Sequence, residues 1–191
     1  MRPTLASTLV SLLVGLLVTA SLALAPGAAH AGSASKKDPN DTQGRLDLAR
    51  VAVKTQGKKI VGTVTTHDAF TEADLVVPAA LGIDFKVGRA GGGDKVRGIA
   101  IRSRDGKLVA NICTYTEARL EGFACSKVSV KRVSATAVRV VVPRAKVAKG
   151  AKTYRWRGGS FAPDGIAGCT TSPFCIDKMV SNPKKWFRLK G

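Results

Sequence analysis

From residue 46 onward, apolar and polar positions alternate along the chain with a period of two, and turn-forming residues break the alternation at short intervals. In "RLDLARVAVKTQGKKIVGTVTTHD", Ala49, Val51 and Val53 fall on one face while Arg50, Ala52 and Lys54 fall on the other. A half-buried strand needs that pattern. "TQGKK" supplies a turn, and the β-branched residues of 60–66 return as the second arm of a hairpin. The following "DAFTEADLVVPAALG" has a weaker pattern, compatible with a helical turn or a crossing loop, and Pro78 interrupts any helix there.

Ile83, Phe85 and Val87 share the next strand face. The glycine-rich "GRAGGGDK" then turns the chain into "VRGIAIRS", and "RDGK" turns it again into "LVANICTYT". "CSKVSVKRV" points Val128 and Val130 inward and Lys127, Ser129 and Lys131 outward. "ATAVRVVVPRAKV" points Val138, Val140 and Val142 inward and ends at Pro143. In "TYRWRGGSF", Tyr154 and Trp156 face one way and Arg155 and Arg157 the other. The pattern predicts an all-β fold: seven or eight short strands in a single antiparallel β-sandwich or barrel domain over residues 46–191. An α/β fold is excluded by the lack of amphipathic helices between the strands.

The first 31 residues read differently. Arg2 precedes a long apolar run that ends in Ala29-His30-Ala31, the small-x-small pattern of a signal-peptidase site, so cleavage is expected after Ala31. Residues 32–45, "GSASKKDPNDTQGR", carry no hydrophobic period and read as a flexible leader. The protein is therefore expected to be secreted or extracytoplasmic.

Charge then narrows the partners. The formal charge is +18, and losing Arg2 with the signal leaves +17. Such an excess attracts anions without identifying them, so nucleic acid, lipid or teichoic phosphates and acidic polysaccharide all qualify. Cys113, Cys125, Cys169 and Cys175 all lie in the exported part, where an even count reads as disulfides. Cys113–Cys125 and Cys169–Cys175 are the favoured pairs, because each closes a local loop across turn-rich sequence. Their spacings suit neither a redox Cys-x-x-Cys motif nor a thiolate zinc site.

Few motifs carry chemistry. "GRAGGGDK" lacks the Lys-Ser/Thr and the following helix of a phosphate loop. "GGSFA" places Ser160 near a nucleophile elbow, but no histidine follows it, leaving only His67 beside Asp68 upstream. Asp68, Glu72, Asp74 and Asp84 cluster in sequence without the spacing of a compact calcium loop. No catalytic residue, metal ligand set or cofactor is assigned. For binding, Lys127, Lys131 and Arg139 form a basic face, and Tyr154, Arg155, Trp156 and Arg157 offer stacking rings between cations. The same alternation equally buries Tyr154 and Trp156 in the core.

The run "DTQGRLDLARVAVKTQGKKIVGTVTT" through "IRSRDGKLVANI", "CSKVSVKRVSATAVRVVVPR" and "YRWRGGSF", closing on Cys169 and Cys175, resembles small secreted actinobacterial proteins with β-sandwich domains. It is distantly similar to jelly-roll-like carbohydrate-binding ectodomains. The resemblance implies a secreted binding domain and carries over no catalytic residue. Relatives of this kind carry an acid-rich loop where this chain has "VGRAGGGDK", with Asp94 as the loop's only acid, so no metal site is carried over either. The leading expectation is a non-enzymatic domain that binds anionic polymer or polysaccharide of the cell envelope, with nucleic acid bound only non-specifically and no integral membrane partner. The alternatives are a secreted hydrolase with carboxylate or serine chemistry, and a structural or inhibitory protein-binding domain.

Overall fold

A computed structural model describes residues 32–86, 95–116, 119–148, 151–179 and 186–190, apart from the side chains of 119–123. The predicted export signal and the glycine-rich turn after Lys86 lie outside these residues. The strands are β1 (Ser33–Lys37), β2 (Leu48–Gln56), β3 (Lys59–Thr66), β4 (Ala80–Lys86), β5 (Lys95–Arg104) and β6 (Lys107–Thr116). They continue with β7 (Arg119–Ser134), β8 (Ala137–Pro143), β9 (Thr153–Pro163), β10 (Phe174–Lys178) and β11 (Phe187–Lys190). A single 3-10 turn, Glu72–Leu75, and one short helix, α1 (Arg144–Ala148), interrupt them. None of the described helices is long and apolar enough to cross a membrane.

The fold is all-β and antiparallel, as the alternation predicts, but the count and connection of strands differ. The strands form one sheet in the order β1-β2-β3-β8-β7-β6-β5-β4-β9-β10, with β11 paired to β9 beside β10. The sixteen-residue β7 makes this continuity possible. Its first part pairs with β6 through Cys113↔Cys125 and Ala110↔Val128. Its last part pairs with β8 from Ser129↔Val141 to Ser134↔Ala137. Two halves thus share one strand, and the finer expectation of a seven- or eight-stranded jelly-roll sandwich gives way to eleven strands in a curled sheet. Ser33–Lys37, expected within a flexible leader, instead pair with β2 as an edge strand. Their sequence, SASKK, has no apolar period to reveal it.

The alternation decides which face is buried. Val51 and Val53 of β2, Ile60 and Val64 of β3, and Val138, Val140 and Val142 of β8 are buried from one half. Leu81, Ile83 and Phe85 of β4, Ile99 and Ile101 of β5, and Tyr154 and Trp156 of β9 are buried from the other. All belong to one apolar cluster inside the curl. Close approach of the halves needs Gly62, where a Cβ would come within 2.5 Å of the Ile83 Cδ1 atom. Asp105 and Gly106 take the left-handed conformation that the "RDGK" turn requires.

All four cysteines pair as the sequence predicts, Cys113 with Cys125 and Cys169 with Cys175. The first pair bridges directly opposed residues of β6 and β7, and the second closes the loop leading into β10. Two disulfides and no free thiol suit an oxidising, extracytoplasmic compartment.

Trp156 is fully buried and its ring lies 5.2 Å from that of Phe187. Truncating a buried aromatic removes its packing and leaves a cavity. Trp156→Ala should therefore lower stability by about 3–5 kcal/mol in a denaturant titration. Trp156→Phe should cost clearly less, because it keeps a ring and removes an indole N–H that has no acceptor. A near-neutral Trp156→Ala would place the ring outside the core.

Candidate functional site

The apolar face of the curled sheet is spent on the core, so any binding surface must come from the outward face. Directly opposed residues of an antiparallel sheet share a face. One outward row runs Lys178-Gly159-Gly82-Ala100-Asn111-Lys127 across β10, β9, β4, β5, β6 and β7. Its centre has almost no side chain. A neighbouring row carries Ala80, Phe161 and Ile176, and on the other side stand Asp84, Gly98 and the Cys113–Cys125 bridge. The result is a trough of about 580 Å³ floored by Gly82, Ala100 and Gly159 and bounded by Phe161 and Ile176 along one side and Tyr115 along the other.

Local packing keeps this floor low. The Tyr115 ring folds down over Gly98, where a Cβ would meet a ring carbon at 2.6 Å. Burial, and then the charge of Asp84, to which the phenol donates, push the Tyr115 hydroxyl above its usual range. The Nε of Arg157 donates to Asp84 Oδ2 at 3.1 Å, and its guanidinium lies 4.3 Å from the Trp186 ring centre. The one acid that lines the trough among the described residues is thereby committed to an arginine and a phenol. Arg102, which also lines the trough, has a buried Nε with no acceptor. Lys178 and Lys127 are exposed at the two ends of the central row. Five inter-strand steps separate them, on the order of 24 Å at the usual sheet spacing.

The residues predicted from sequence are divided between two environments. Lys127 ends the central row on β7, outside the trough's lining. Lys131 and Arg139 face each other across β7 and β8, outward on the other half of the sheet. Tyr154 and Trp156 are fully buried, and the Tyr154 hydroxyl accepts a 2.6 Å hydrogen bond from the Arg144 Nε. Neither ring offers a face to a ligand. Arg155 and Arg157 lie on the outward face beside Lys86 and Asp84. Ser160 is buried on the inward face opposite Asp177 and, among the described residues, makes no hydrogen bond to His67.

The acids that are close in sequence do not converge. Asp68 is exposed, and Asp84 faces the trough. Asp74 is buried in the 3-10 turn, where Oδ1 accepts from Arg45 Nε at 3.0 Å and Oδ2 from the Thr71 amide and hydroxyl at 2.7 and 3.0 Å. A different set meets instead, and nothing in local spacing announces it. Oxygens of Asp38, Asp41 and Asp177 lie within 4.8 Å of one another. Asp47, only 2% exposed, lies beside Asp177, and neither of its oxygens accepts a well-formed hydrogen bond, the Thr42 amide being its weak nearest donor. Leu48 donates its amide to Asp177 Oδ2 at 2.6 Å, and the His67 ring meets the Asp38 carbonyl at 3.1 Å. Burial is the main force raising the Asp177 carboxyl to about 8, against the pull of the Leu48 amide, and Asp38 adds to it. Burial likewise raises Asp38 and Asp47.

The chain matches no protein-family model, no curated protein and no solved structure. Function therefore has to be argued from these residues.

Asp74 yields a direct test of its setting. Burial works to raise its carboxyl, but Arg45 and the two Thr71 donors outweigh burial and hold it below its ordinary value. A depressed carboxyl contributes stability above its unfolded value, near 3.9, and loses it as pH falls through the folded value. Asp74→Asn should lower stability at neutral pH by about 1–3 kcal/mol. It should also flatten the fall in melting temperature below about pH 4. An acid limb identical to that of the parent protein would reject this account.

Proposed function

We propose that the protein is an extracytoplasmic binding module whose outward trough takes a segment of anionic polysaccharide. The observation that carries this reading is the arrangement of charge around a floor without side chains. Lys178 and Lys127 terminate the central row, Arg102 has an unsatisfied Nε beside it, and the one acid that lines the trough among the described residues is committed to Arg157 and Tyr115. Glycine within a strand lets a ligand approach the backbone closely. Gly82 and Gly159 do so at the point where a flat sugar ring would lie, while the cations at the row's ends would meet acidic groups of other sugars along the same segment.

Two features favour polysaccharide over nucleic acid. Base recognition by single-strand binders relies on presented aromatic faces, and the Tyr115 ring is turned onto Gly98. The floor is apolar but shallow, which suits the unsubstituted face of a sugar more than a projecting base. The net charge of +18 draws polyanions toward the whole surface, and this attraction is screened over about 8 Å at physiological salt. An alternative basic surface exists at Lys131 and Arg139, on the other half of the sheet, and it lacks a trough.

Retention on immobilised polygalacturonate, with uncharged dextran as control, separates these surfaces. The parent protein should bind the polyuronate, release it as salt rises from about 50 to 200 mM, and ignore dextran. The double reversal Lys127→Glu/Lys178→Glu should weaken binding about tenfold, since each reversal removes ~0.2–1 kcal/mol of attraction and adds comparable repulsion. Ala100→Phe, which fills the floor from an outward position, should weaken it as well. Lys131→Glu/Arg139→Glu should stay within about twofold of the parent. The opposite ranking, with the protein still folded by melting temperature, would move the site to the other half of the sheet.

A further inference from the structure

Four of the protein's thirteen acids, in a chain of net charge +18, gather at one place with no lysine or arginine partner among the described residues. Asp38 follows β1, Asp41 and Asp47 belong to the segment leading into β2, and Asp177 lies in β10. None of the described lysines or arginines pairs with any of them; the polar groups that face them are the Leu48 and Thr42 amides and His67. Carboxylates removed from water and placed together repel one another and lose hydration, and one buried without a donor is costlier still. Asp47 is in that position, 2% exposed with both oxygens lacking a well-formed partner, and one buried oxygen of Asp38 is unpartnered too. In the same protein Asp74 and Asp84 are each matched to an arginine. Apart from the Leu48 and Thr42 amides, no donor outside the cluster reaches its carboxyl oxygens among the described residues.

We propose that Asp38, Asp41 and Asp177 ligate a divalent cation, calcium by donor chemistry, with Asp47 as the buried carboxylate behind them. Three oxygens within 4.8 Å of one another need at most a small closing movement to share a centre at about 2.3–2.6 Å, the calcium–oxygen range. An all-oxygen set drawn from the β1–β2 segment and one strand suits the flexible coordination of calcium; zinc prefers nitrogen and sulfur in a tetrahedron. The site is also placed where a cation would act on the fold. β1 and β10 are the two ends of the strand order, and Asp38 and Asp177 bring those ends together. A bound cation would therefore act as a clasp that closes the curled sheet, joining the β1–β2 segment to β10. This inference is independent of the trough, because Asp177 is on the inward side of β10 and none of the three ligands lines the trough.

The test is thermal unfolding and calorimetric titration of the chelator-stripped protein with calcium chloride. Calcium should raise the melting temperature saturably, by roughly 5–10 °C at saturation, with affinity in the ~10⁻⁴–10⁻³ M range of extracellular calcium modules. Magnesium should give a much smaller shift. Asp41→Asn, at an exposed position, should weaken the calcium response at least tenfold with the apo melting temperature unchanged. Asp177→Asn should abolish the response while leaving the apo protein folded, because the side-chain amide oxygen can still accept from the Leu48 N–H. No saturable shift up to about 10 mM calcium, well beyond that range, would overturn the proposal. So would an equal response to magnesium, a response to zinc alone, or a calcium response that survives both substitutions.

Discussion

An antiparallel sheet with one apolar face, and no helix large enough to cover it, has to bury that face against itself. The rest of this structure depends on that constraint. Ten strands in a single hydrogen-bonded path present valines, isoleucines and two large rings on one side only. Curling around β7 puts Val51, Val64 and Val140 against Ile83, Phe85 and Trp156. The hydrophobic gain of this burial, about 1.5–3 kcal/mol for each fully buried large apolar side chain, is the main force holding the halves together. The two disulfides are local additions to that core, one across β6 and β7 and one before β10.

Curling has separate consequences on the two sides of the sheet. Outside, it leaves a polar face whose character depends on cross-strand rows, and one row happens to combine small residues at its centre with lysines at its ends. Inside, it brings β1 toward β10, and with them acids that are more than a hundred residues apart. The energetic weight of the two is unequal. Exposed cations on a sheet face are solvated and change stability little. Buried carboxylates without donors are costly until something neutralises them.

Legibility in the sequence followed the range of each interaction. Strand β8 shows regular alternation, so its buried face of Val138, Val140 and Val142 was readable residue by residue, as were Val51 and Val53 of β2. Both cysteine pairs were readable because each closes a short loop. Strand β1 was not, because SASKK is polar throughout and becomes a strand only by pairing with β2. Strands β10 and β11 are short segments in turn-rich sequence, organised by pairing with β9. Among the candidate residues, the environment of Tyr154 and Trp156 stayed open in the sequence, since alternation with arginines says only that they share a face.

What the sequence by itself determined is therefore the class of fold, the inward and outward sides of the patterned strands, the disulfide pairing and the strong basic charge. Each of these is a matter of composition or of residues close along the chain. Only the tertiary structure decided that the strands join into one curled sheet, that Gly82, Ala100 and Gly159 stand in one row, and that Asp38, Asp41, Asp47 and Asp177 meet. These depend on cross-strand register and on the meeting of sheet ends. A period of two fixes the face on which a side chain stands and leaves its neighbours on other strands undetermined.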